Sequence, residues 1–145
     1  MRAVVDTNVW VSAIIHRTGY PARLKQAWLD GRFVSVLSPQ LVTETVEVLH
    51  RPRIQGKYGI SDEEINTLEF ALSRFSEVVY APPVDYHLRD PKDDYLLSTA
   101  IVARAEFIVT RDGDLRGDAD LPSYLSRFGT QVVSVQQFLE ILEAI

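Results

Sequence analysis

The 145-residue sequence contains no cysteine, which excludes disulfides and thiolate metal sites. No apolar run approaches the roughly 18 residues that a membrane-spanning helix needs. A basic-then-apolar leader is also missing, because Asp6 and Asn8 interrupt the first apolar stretch. Together these absences point to a cytoplasmic protein that does not enter a membrane. Positive charge is in short supply: 15 lysines and arginines face 20 acids, for a net charge of −5. That argues against holding nucleic acid by bulk charge alone, but it leaves room for a basic patch or a bound cation. Histidine is scarce. His16, His50 and His87 are scattered and read as surface residues. No repeat, low-complexity tract or linker divides the chain, so residues 1–145 are read as a single domain.

What is present is a regular alternation of short apolar runs with helical patterns. The runs at 2–6, 33–37, 77–81, 106–110 and 130–135 read as strands. Helices are expected at 21–31 and at 38–52, the latter with Ser38 as N-cap, Pro39 at its first position and Pro52 enforcing its end. Another is expected at 61–75, opened by a Ser61…Glu64 capping box, and a fourth at 90–105. Ser134 with Gln137 opens a last helix, and 113–129 reads as a long loop with at most a turn of helix. Alternating strands and helices predict an α/β fold around a parallel sheet.

In such sheets, ligands bind beyond the carboxyl ends of the strands. Asp6 and Asp112 stand at that address. Each also has a plain structural reading, Asp6 as a helix cap and Asp112-Gly113 as a turn. On the helix at 38–52, Glu47 points away from the apolar stripe and has Arg51 four residues on, the pattern of a solvated pair. Glu44 lies at the edge of the stripe, as a boundary residue or a site residue. In "RDPKDDYLLSTA", Asp90 suits an N-cap before Pro91 and Asp93 suits the first turn of a helix. Asp94 shares a stripe with Leu97 and Ile101 and so tends inward, although helical arithmetic alone leaves Asp93 in contention. Acids that converge in one cleft repel each other unless a cation sits among them. The cation that prefers oxygen ligands and keeps water for chemistry is Mg²⁺, with Mn²⁺ as a substitute.

Three segments in order, "VVDTNVWVSA", "LSPQLVTETVEVLHRP" and "RDPKDDYLLSTAIVARAEFIVTRDGDL", resemble the PIN-domain family, and more specifically its VapC-like group of prokaryotic toxins. The resemblance runs over nearly the whole chain. It implies a three-layer αβα sandwich with a sheet of about five parallel strands. It selects Asp6, Glu44, Asp94 and Asp112 as catalytic and metal-binding acids, with Asp114 as an accessory ligand. Thr7, Asn8 and Thr110 match the groups that orient those acids. The resemblance further implies metal-dependent hydrolysis of RNA phosphodiester bonds, an antitoxin protein as possible partner, and a homodimer.

Substrate contact calls for cations near the acids. The candidates are Arg17, Arg23, Lys25, Arg51, Arg53, Lys57, Arg111 and Arg116, with Arg111 favoured because it adjoins Asp112. Trp10 and Tyr95 are candidates for stacking on bases, with core or a dimer interface as the other reading of Trp10. A haloacid-dehalogenase-like phosphatase is disfavoured by Asn8 and by the absence of lysine after Lys92. The alternative within the family is a catalytically silent PIN module that binds RNA or a protein partner. Such members typically lose acids, whereas all four are present here.

Overall fold

A computed structural model of the chain describes residues 1–82, 84–88 and 93–145, apart from the side chain of Asp114. Five strands form one parallel sheet: β1 (Arg2–Val5), β2 (Val34–Leu37), β3 (Glu77–Val78), β4 (Phe107–Val109) and β5 (Gln131–Val133), in the order β3-β2-β1-β4-β5. Helices pack on it to give the αβα sandwich. Ala3, Val4, Val36, Ile108 and Val109 are fully buried in the sheet, as expected where helices cover both faces and strands read as continuous apolar runs. The chain runs outward from β1 through β2 to β3, then returns to add β4 and β5 on the other side. The order therefore reverses between β1 and β4, which opens a crevice at their carboxyl ends. Asp6 and Asp112 follow those two strands.

Around the sheet lie α1 (Thr7–Ile15), α2 (Tyr20–Leu29), α3 (Pro39–His50), α4 (Pro52–Tyr58), α5 (Asp62–Phe75), α6 (Asp94–Ala103), α7 (Gly113–Arg116), α8 (Leu121–Ser126) and α9 (Val135–Glu143). Two expected caps form in full. Ser38 Oγ accepts from Leu41 N–H at the start of α3. Ser134 and Gln137 exchange side-chain-to-backbone bonds at the start of α9. Ser134→Ala is expected to cost about 1 kcal/mol, read as a lower urea midpoint with unchanged slope; an unchanged midpoint contradicts the cap's contribution. At α5 only half of the box is made. Ser61 Oγ accepts from Glu64 N–H at 3.1 Å, but the Glu64 carboxylate goes to Arg17 at 3.2 Å.

Three expectations change. β3 is two residues long rather than five, because its neighbour β2 ends at Leu37, whose carbonyl takes the Val79 N–H at 2.9 Å before Ser38 turns the chain into α3. Pro52 does end α3, holding Arg51 in an extended conformation, and then opens α4, which Gly59 closes at φ 63°. The stretch 113–129 holds two short helices rather than one turn. The expected cap at Asp90 and Pro91 lies outside the described residues. Among those described, no helix is long and apolar enough to cross a membrane.

Candidate active site

β1 ends on Val5 in register with Val109 of β4, and the ladder continues one bond further, from Asp6 N–H to the Val109 carbonyl at 2.9 Å. This seats Asp6 beside Thr110, with both residues buried. Thr110 Oγ1 donates to Asp6 Oδ2 at 2.9 Å and accepts from Asp112 N–H at 2.9 Å. One hydroxyl thus fixes one acid and the backbone of another. Asp112 Oδ1 also accepts from Leu115 N–H at 3.3 Å, anchoring the start of α7. Asp6 occupies the N-cap position of α1, yet its side chain makes no cap hydrogen bond. The carboxylate is turned to Thr110 instead.

α3 brings Glu44 to the same end of the sheet. Its Oε2 accepts a hydrogen bond from the Tyr95 hydroxyl on the first turn of α6. Thr7 lies beside this support, its Oγ1 3.5 Å from that of buried Thr45. Thr45 in turn donates to the Leu41 carbonyl at 2.8 Å. Glu47 points out to solvent and pairs with Arg51 at 3.4 Å, as helical spacing predicts.

The electrostatics follow from this geometry. Burial lifts the Asp6 carboxyl above its ordinary value. The Thr110 hydroxyl and the Thr7 N–H pull the other way, and the charges of Glu44 and Asp112 add to the rise. Tyr95 is held firmly protonated by burial and by its bond to Glu44. Among the described residues, no lysine, arginine or histidine pairs with Asp6.

Asp94 stands apart from the other three acids. Its Oδ1 accepts from Leu88 N–H at 2.9 Å, and its Oδ2 lies 3.3 Å from His87 Nδ1. It is not among the charges that act on Asp6. The charges that act on Asp6 are thus those of Glu44 and Asp112, while the Asp94 carboxylate is turned toward the 87–88 segment. Among the described residues, no three His, Asp or Glu side chains are gathered closely enough to hold a metal ion. Asp93 takes the N-cap position of α6, rather than a place inside its first turn, and its side chain makes no cap bond. The side chain of Asp114 lies outside the described residues.

Asn8 is exposed, and no hydrogen bond holds its side chain among the described residues. Trp10 is fully buried against Trp28, ring centroids 4.9 Å apart, which makes it core. Arg111 is exposed at the mouth of the crevice and donates to Ser12 Oγ at 2.6 Å. Sequence reasoning missed the roles of Thr45 and of the Tyr95 hydroxyl. Tyr95 was a candidate for stacking, and only its meeting with Glu44 across two helices reveals the hydroxyl's task. Thr110→Val keeps the shape but leaves a buried carboxylate and a backbone N–H short of a partner. A loss of about 1–3 kcal/mol is expected from denaturation curves, and an unchanged midpoint contradicts the bridge.

Comparison with known proteins follows the same lines. A family model described as PIN domain matches residues 2–114. The chain is 27% identical over 146 residues to the "Uncharacterized protein MJ1680" of Methanocaldococcus jannaschii, covering 99% of this chain and 92% of that protein. The solved structure of the PIN domain of human SMG5 matches with a TM-score of 0.49 and 13% identity, over 97% of each chain.

Proposed function

Since the chain belongs to the PIN-domain family, a family of nuclease-type domains, we propose that it is a metal-dependent endoribonuclease that hydrolyses RNA phosphodiester bonds. The observation that carries this reading is Asp6. It is a buried carboxylate at the switch point of the sheet, raised above its ordinary value by burial and by the charges of Glu44 and Asp112, with no cationic side chain paired to it among the described residues. Ionised oxygen donors whose like charges repel are the donor chemistry of a hard divalent cation. Asp6, Glu44 and Asp112 would hold Mg²⁺ or, as a substitute, Mn²⁺, joined by Asp94 and, as an accessory, Asp114. As they stand, the side chains act on one another through their field rather than as a closed ligand shell. When bound, the ion supplies Lewis-acid polarisation of the phosphate and an activated water.

The chain's own groups prepare that chemistry. Thr110 holds Asp6 through its carboxylate and Asp112 through its backbone, while the Tyr95 hydroxyl holds Glu44. Burial keeps bulk water from Asp6, which strengthens its interaction with a cation. Arg111 is the nearest candidate to meet substrate phosphate. The unit extends beyond residue 114 in this proposal, since β5 pairs with β4 and α9 packs on α2. A homodimer and a toxin's role opposed by an antitoxin protein belong to the same proposal, on the strength of the sequence resemblance.

The test is cleavage of end-labelled single-stranded RNA with Mg²⁺ and with EDTA. Products with a 5′-phosphate and a 3′-hydroxyl, formed only with metal, support the reading. Absence of cleavage over a broad RNA panel, together with no Mg²⁺ or Mn²⁺ binding, overturns it in favour of the silent binding module. Light scattering and growth arrest on expression test the dimer and toxin roles separately.

A further inference from the structure

Beside the acids, on the β5 side of the sheet, lies an open cleft of about 530 Å³. Thr110, whose hydroxyl bonds Asp6, forms part of its wall, so the cleft and the acidic centre are contiguous. The rest of the lining includes Arg111, Arg116, His16 and Tyr20, and among the described residues it holds no aspartate or glutamate. In a chain of net charge −5 this is a local reversal of sign. Three other basic candidates are paired with acids, Arg17 with Glu64, Arg23 with Glu143 and Arg51 with Glu47, and Lys25, Arg53 and Lys57 do not line the cleft. Arg116, in contrast, is exposed with no acidic partner among the described residues, and Arg111 is braced by Ser12.

Tyr20 supplies the other half of the chemistry. It opens α2 immediately after Gly19, whose φ of 107° is one that other residues rarely adopt. The ring is 43% exposed, and the Arg23 guanidinium lies over it, 5.6 Å from its centroid. An exposed aromatic beside unpaired arginines is the combination by which proteins hold single strands, with phosphates on the cations and a base on the ring. A duplex keeps its bases stacked inside and has none to offer Tyr20.

We propose that this cleft binds one nucleotide of a single-stranded RNA adjoining the cleavage point, with its phosphate on Arg111 and Arg116 and its base on Tyr20. The proposal rests on the nuclease reading and adds to it the path of the strand and the residues that hold it. The test is fluorescence anisotropy of a labelled single-stranded RNA on Asp6→Asn protein in EDTA, which separates binding from cleavage. Tyr20→Leu, which keeps the bulk, is expected to weaken binding about tenfold. Arg116→Gln is expected to weaken it and to reduce the slope of log affinity against log salt by about 0.7. Arg74→Gln, on α5 and outside the cleft, should leave both unchanged. Duplex RNA of the same sequence should bind weakly and be insensitive to Tyr20→Leu. Parent-like binding by both cleft variants while circular dichroism shows them folded, or an equal loss in Arg74→Gln, overturns the proposal. Binding that depends on the cleft, in a protein whose Asp6 form never cleaves, would leave the cleft standing and remove the nuclease reading alone.

Discussion

Asp6→Asn is expected to abolish metal-dependent RNA cleavage and, at the same time, to make the metal-free protein more stable at neutral pH. The two effects share one cause. Asp6 is charged in a buried place, next to the fields of Glu44 and Asp112, and its carboxyl is raised above its ordinary value. A group whose folded-state value is raised contributes fully to stability below its unfolded value, and loses that contribution as pH rises through the folded one. At pH 7 the ionised carboxylate therefore opposes folding. Asparagine keeps the shape and cannot ionise. In EDTA the variant should melt a few degrees higher at pH 7, and the gap should close toward pH 3, where aspartate is protonated in both states. Added Mg²⁺ should raise the melting point of the parent, by mass action on the folded state, and leave the variant unmoved. A variant that cleaves RNA at the parent's rate removes Asp6 from the site. One that melts lower than the parent in EDTA at pH 7 contradicts the electrostatic account.

Trp10→Ala carries the largest expected stability effect. The side chain is fully buried, edge-on to Trp28, on the same helix that begins with Thr7 beside the acids. Truncating a buried tryptophan costs about 3–5 kcal/mol, a large share of the roughly 5–15 kcal/mol that holds a domain folded. A fall in melting temperature of about 10 °C or more is expected, independent of protein concentration. A fall that appears only on dilution would instead assign Trp10 to a dimer interface. Loss of this anchor should also loosen Thr7, which neighbours Asp6 at the start of the same helix.

Local signals carried far in this chain. Ser38-Pro39, Ser134 with Gln137, and Pro52 each act where the sequence places them, because caps and prolines work within a turn of their own position. Glu47 paired with Arg51 for the same reason. What escaped the sequence was decided at a distance. Glu64 left its capping box for Arg17, a residue 47 positions away, and the Tyr95 hydroxyl found Glu44 across 51. The length of β3 depends on where its neighbour β2 ends, which no local pattern encodes. α4 was hidden because Pro52 reads equally as the end of one helix and the first residue of the next. At the site, the address of Asp6 and Asp112 was legible from strand ends alone. The direction of Asp94 was not, since its partners, Leu88 N–H and His87, come from a segment without periodicity.

The central claim is that Asp6, Glu44 and Asp112 together form a divalent cation site, and Mn²⁺ titration followed by electron paramagnetic resonance tests it most directly. The account predicts saturable binding by the parent, competed by Mg²⁺, and severe weakening in each of Asp6→Asn, Glu44→Gln and Asp112→Asn, with all three variants folded. Parent-like Mn²⁺ affinity in any one of them would contradict it.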